Sequence, residues 1–112
     1  MSISTEVFKI IDQAKECLRI NITDSLTGAE AATLRASVEG ALKSEFDTIY
    51  IDVNEVKNAD LSGINEVIHS HYTLEKSSKK AVLVYVKGSV MEKWIESTGL
   101  DKFVQTAILP AN

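Results

Sequence analysis

Asn58-Ala59-Asp60-Leu61-Ser62-Gly63 decides how this 112-residue chain folds. It is a polar break between an apolar strand, Thr48 to Val53, and a helix predicted to begin near Ser62. Asp60 suits an N-cap, since its carboxylate can accept from the amides of the first helical turn. Gly63 puts no side chain over the helix start, so another surface can approach the backbone closely. Ser62 brings a hydroxyl to the positive end of the helix dipole, where an added phosphate would have unpaired amides in reach. By residue type alone, the same turn is also ordinary capping chemistry.

Working outward, Glu6 to Gln13 and Glu16 to Thr23 are extended stretches separated by Ala14-Lys15, which predicts an antiparallel hairpin. Leu18, Ile20 and Ile22 alternate with Cys17, Arg19 and Asn21, so one face of the second strand is apolar. Asp24 to Gly28 is expected to break that strand, and Thr27 with Glu30 forms a capping box that opens a helix. Ala31, Leu34, Val38, Ala41 and Leu42 then recur at helical spacing. The helix after Asp60 presents Ile64, Val67, Ile68, His71 and Leu74 on one face. His71 is read as a hydrogen-bonded packing residue, because His69 points elsewhere on the helix and leaves no ligand pair.

Ala81 to Val86 is a continuous apolar run, predicted to be a strand covered on both sides. Ser89 and Glu92 repeat the capping-box spacing. Their helix presents Val90, Met91, Trp94 and Ile95, with Trp94 expected against the sheet edge and Gly99 closing the helix. Phe103 to Leu109 is a predicted last edge strand, stopped by Pro110. The order is hairpin, helix, strand, helix, strand, helix, short strand. It implies an α/β fold: a mixed sheet of four to five strands, parallel in the middle, with helices packed mainly on one face.

Composition narrows the function. A 45% hydrophobic and 25% charged chain of this length is an ordinary globular domain, and a net charge of -4 argues against nucleic-acid binding. The basic cluster Lys76 to Lys80 falls where a helix should end and suits its dipole. One cysteine, Cys17, excludes an internal disulfide and a Cys-based zinc cluster. It is expected to be a packed thiol in a reducing compartment. There is no apolar run of membrane-spanning length and no signal-peptide pattern, so a cytoplasmic location without direct membrane insertion is expected. Phosphate loops, nucleophile elbows and His-Glu-x-x-His are absent, and no enzyme activity, cofactor or metal is expected. Asp52 and Asp60, the one carboxylate pair of interest, are read as a hydrogen-bond acceptor and a cap.

The residues resemble a known family. Asp52, then Val56, then Asp60-Leu61-Ser62-Gly63-Ile64 is similar to the signature of STAS domains, named for sulfate transporters and anti-sigma-factor antagonists. That pattern is an apolar strand ending in Asp, then Asp-Ser-Ser/Thr-Gly-Leu opening a helix. Ile22-Thr23-Asp24, and Val90 through Trp94 to Gly99-Leu100 with Phe103, resemble the flanking blocks, so the likeness implies a single STAS domain over residues 1–112.

The resemblance implies a non-enzymatic module of the anti-sigma-factor-antagonist type, binding an anti-sigma factor/serine kinase of the ATP-binding type and released by phosphorylation at the helix start. It places the partner surface on Asn58, Asp60, Leu61, Ser62, Gly63, Asn65, Glu66 and His69. Here the usual acceptor position, directly after the motif aspartate, holds Leu61. Ser62 matches the second hydroxyl position and is the candidate acceptor, although one helical step turns a side chain by roughly 100°. The alternative is a phosphorylation-independent STAS subunit or scaffold of a lipid-transport, anion-transport or stress-signalling complex, in which the apolar turn docks permanently. Family members commonly end in a further helix, and with the sequence stopping at Asn112 no partner surface using that helix is expected.

Overall fold

The computed structural model describes residues 3–10 and 15–109. Strands β1 (Ile3–Ile10) and β2 (Lys15–Leu26) pair antiparallel, with Val7 opposite Leu18 and Thr5 opposite Ile20. The predicted strand end at Gln13, the turn residue Ala14 and the stop at Pro110 lie outside the described residues. Next come α1 (Gly28–Leu42), β3 (Thr48–Ala59), α2 (Leu61–Lys76), β4 (Lys80–Val86), α3 (Val90–Thr98), a 3-10 turn at Leu100–Lys102 and β5 (Gln105–Leu109). The sheet runs β1-β2-β3-β4-β5, and every neighbouring pair after the hairpin is parallel. All three crossovers step the same way along the sheet, and right-handed connections therefore put all three helices on one face.

Alternation along the strands supplies the core. Leu18, Ile20 and Ile22 of β2, Ile49, Ile51 and Val53 of β3, and Ala81, Leu83 and Tyr85 of β4 share one buried cluster with the helices. The helices contribute Leu34 and Val38, Ile64, Val67 and Leu74, and Met91 and Ile95. Trp94 is half-buried against this cluster, and Gly99 closes α3 in the left-handed conformation at φ 69°. No helix among the described residues is long and apolar enough to cross a membrane.

Three sequence expectations are corrected here. Helices do not cover β4 on both sides. On the helix-free face Val82 and Val84 are nonetheless buried, flanked in register by Tyr50 and Asp52 of β3 and by Gln105 and Ala107 of β5. Cys17 is buried on that same face. His71 is half-buried with its ring beside Tyr72 and Nε2 3.6 Å from the Glu75 carboxylate, but its buried Nδ1 has no hydrogen-bond partner among the described residues. Of the basic cluster, Lys79 turns inward rather than toward the end of α2. Its Nζ donates to the carbonyls of Ser44, at 2.9 Å, and Phe46, tying the loop after α2 to the segment after α1.

The third correction positions the site. From sequence β2 breaks at Asp24 and β3 ends at Val53, yet β2 runs to Leu26 and β3 to Ala59. The last β3–β4 pair is Asp52 with Val84; beyond it β3 is paired only with β2, through Thr23–Glu55, Asp24–Val56, Ser25–Asn58 and Leu26–Ala59. Two register shifts interrupt this ribbon, each adding a residue on β3, and Asp24 takes a left-handed φ of 64°. The bulges let Val53, Val56 and Ala59, three residues apart, all face the core. A flat strand would turn every second residue inward, so alternation ends at Val53 although the strand does not.

Candidate functional site

The two-strand ribbon delivers the N-termini of α1 and α2 side by side. The Leu26 carbonyl accepts from the Asp60 amide at 3.2 Å, which joins the two turns just before their helices start. Thr27 caps α1 as its spacing predicts: Oγ1 accepts from the Ala29 amide, and the Glu30 carboxylate accepts from the Thr27 amide at 2.9 Å. Asp60 caps α2, Oδ1 accepting from the Gly63 amide at 2.9 Å. Its other oxygen accepts from the Gly28 amide of α1 at 3.3 Å. One carboxylate therefore meets the positive ends of two helix dipoles.

Close packing fixes this arrangement. A Cβ on Gly63 would lie 2.0 Å from the Leu26 carbonyl oxygen, so the surface that approaches this glycine is the chain's own β2 end. Gly63 is buried and not open to a partner, contrary to the sequence expectation. Opposite it, a Cβ on Gly28 would come within 3.3 Å of the Ser62 Cβ, so Ser62 lies over the first turn of α1.

Of the predicted surface residues, Asn58, Asp60, Leu61, Ser62, Asn65 and His69 are exposed together at this end of the molecule and along α2. Leu61 is 57% exposed. Glu66 is not on that surface. It is 4% exposed and turned toward α1, where Arg35 donates to it through Nη2 at 2.7 Å and Nε at 3.3 Å. This contact raises the pKa of the Arg35 guanidinium, by the hydrogen bond first and the charge second. A carboxylate between the apolar Ile64 and Val67 needs a cation facing it, and that is the only trace Arg35 leaves in the sequence.

Tyr72, 44% exposed, also extends the surface unannounced. At 100° per residue Leu61, Asn65, Ile68 and Tyr72 fall on one strip of α2, with Ser62 and His69 beside it. The spacing i, i+4, i+7, i+11 marks that strip, but the buried face of the same helix uses the same period more strongly. Asp52 and Asp60 are each occupied by donors of their own, Asn54 and Arg19 for the first, Gly28 and Gly63 for the second. Among the described residues no three His, Cys, Asp or Glu side chains gather as a metal site.

Residues 10–110 match the family described as "Mlab, STAS domain". No curated protein matches the chain. Among solved structures, the fold is similar to an anti-sigma factor antagonist from Mycobacterium paratuberculosis, with a TM-score of 0.70 and 18% identity over 94% of this chain and 85% of that one. It is similar to SpoIIAA in its unphosphorylated form, with a TM-score of 0.68 and 18% identity over 97% and 89% of the two chains. The phosphorylated form of the Bacillus cell fate determinant SpoIIAA gives a TM-score of 0.63 and 19% identity over 97% and 92%. At these identities the likeness is one of fold.

Proposed function

The chain belongs to the STAS domain family, and from that premise we propose that it is a non-enzymatic, single-domain docking module of the cytoplasm that binds a protein partner through the Leu61 turn. Leu61 carries the proposal. A leucine 57% exposed stands at the first position of a helix that is rigidly capped and locked to its neighbour. Covering it would contribute roughly 1–2 kcal/mol to an interface. The strip through Asn65, Ile68 and Tyr72 extends the contact along α2.

The partner proposed is an anti-sigma factor/serine kinase of the ATP-binding type, since the fold is shared with proteins described as anti-sigma factor antagonists. The contact is constitutive. Leu61 offers no hydroxyl at the family's usual acceptor position, and a phosphate on Ser62 would meet the Asp60 carboxylate, which already holds the Gly28 and Gly63 amides. That occupancy weakens the anion site that two adjoining helix N-termini would otherwise make.

Phosphopeptide mapping of the protein from its own cells, in growth and under stress, tests the constitutive part. No phosphate on Ser62 is expected in either condition, and stress-dependent occupancy there would establish a switch instead. A second reading, a phosphorylation-independent subunit of a lipid- or anion-transport complex or a stress-signalling scaffold, draws on the same exposed leucine. Co-purification with a membrane ATPase in place of a soluble kinase selects it.

A further inference from the structure

We infer that Asp52 is a positioning residue for the docking turn: it holds the bulge from which the β2–β3 ribbon leaves the sheet. Asp52 is the last β3 residue paired on both sides, with Asn21 of β2 and Val84 of β4. Past it the strand gains its first extra residue and continues with β2 as its only strand neighbour. At that point the Asp52 side chain folds forward along its own strand. Oδ1 accepts from the Asn54 amide at 3.0 Å and from Asn54 Nδ2 at 2.6 Å.

The carboxylate is 5% exposed, and its other oxygen faces Arg19 Nη1 at 3.7 Å. Arg19 is itself held on β2 by Glu6 of β1. A short acceptor that bonds the backbone two residues on replaces a ladder bond that the bulge removes, and so sets where the kink falls. Everything that places Leu61 lies downstream of this kink: the ribbon, the Leu26–Asp60 bond and the Asp60 bridge to Gly28 and Gly63.

The significance of this role rests on the docking reading of Leu61, but its geometry is testable without a partner. Amide hydrogen exchange would be followed at Gly28 and Gly63, which report the Asp60 bridge, and at Leu83 in the middle of the sheet. In Asp52→Ala, exchange at Gly28 and Gly63 is expected to quicken about tenfold, as for loss of one hydrogen bond, with Leu83 unchanged. Asp52→Asn keeps the acceptor toward Asn54 and is expected to restore parent-like protection. Parallel acceleration at all three amides, or at none, would overturn the inference.

Should Asp52→Ala fail to fold, Asn54→Ala decides. It removes one of the two bonds to Oδ1, and the same selective acceleration, smaller in size, is expected; no change at Gly28 and Gly63 would refute the role. Leu61→Asp leaves these amides alone in either case. A docking reading that failed in partner capture would therefore be told apart from a positioning role that failed here.

Discussion

The Asp60 carboxylate spans two helices, accepting from Gly63 of its own helix at 2.9 Å and from Gly28 of the neighbouring one at 3.3 Å. Removing it leaves two helix N-termini uncapped at once. Asp60→Ala is expected to cost about 1–2 kcal/mol, at the upper end for a cap, and to lower Tm by roughly 5–10 °C in a domain of this size. Asp60→Asn keeps one acceptor and should lose about half as much. A thermal melt checks both, and an Asp60→Ala protein melting with the parent would remove the shared cap from the account.

Gly63 and Gly28 lie across the same contact but should respond oppositely to a methyl group. At Gly63 the new carbon would sit 2.0 Å from the Leu26 carbonyl oxygen, backbone that cannot yield without opening the ribbon. Gly63→Ala is expected to destabilise by about 3 kcal/mol or more. At Gly28 the nearest atom is the Ser62 Cβ at 3.3 Å, and the better helix propensity of alanine offsets the tightness, so Gly28→Ala should stay within about 1 kcal/mol of the parent. Denaturant unfolding of the two variants gives the comparison.

Acid should loosen the hairpin through Glu6. Its carboxyl lies below the ordinary value of 4.5, held down first by the hydrogen bond from Asn21 and then by Arg19. A carboxylate whose folded pKa is depressed adds stability that is full above the unfolded value and lost as pH falls through the folded one. Glu6→Gln should therefore be less stable than the parent at neutral pH, and the gap should close as the pH drops below 4.5. Hydrogen exchange of the β1 amides across that range reads it. A gap independent of pH would show that the Glu6 charge has no part in pairing β1 to β2.

Much of this fold is legible because local and tertiary signals agree. The Thr27–Glu30 capping box, the Asp60 cap, the left-handed Gly99 and the inward Leu34 and Val38 each follow from spacing that the core then reinforces. The ends of β2 and β3 are not legible. Bulges change the inward interval from two to three, so Val56 and Ala59 read as loop residues although they face the core.

The site divides in the same way. Exposure of Leu61, Ser62, Asn65 and His69 follows from their places on α2. The inward turn of Glu66 depends on Arg35, 31 positions away on another helix, and no local pattern announces it. Gly63 looks like open backbone until the ribbon brings Leu26 over it.

Leu61 is the residue on which the functional account stands, and the most direct measurement compares partner capture by the parent and by Leu61→Asp from the protein's own cells. Val7→Asp, changed at another exposed apolar position on β1, is the control. Both exposed positions should tolerate the change without loss of fold. The expected result is an ATP-binding protein of the anti-sigma factor/serine kinase type retained by the parent and by Val7→Asp and lost from Leu61→Asp. Equal recovery of that partner by all three proteins would contradict docking through the Leu61 turn.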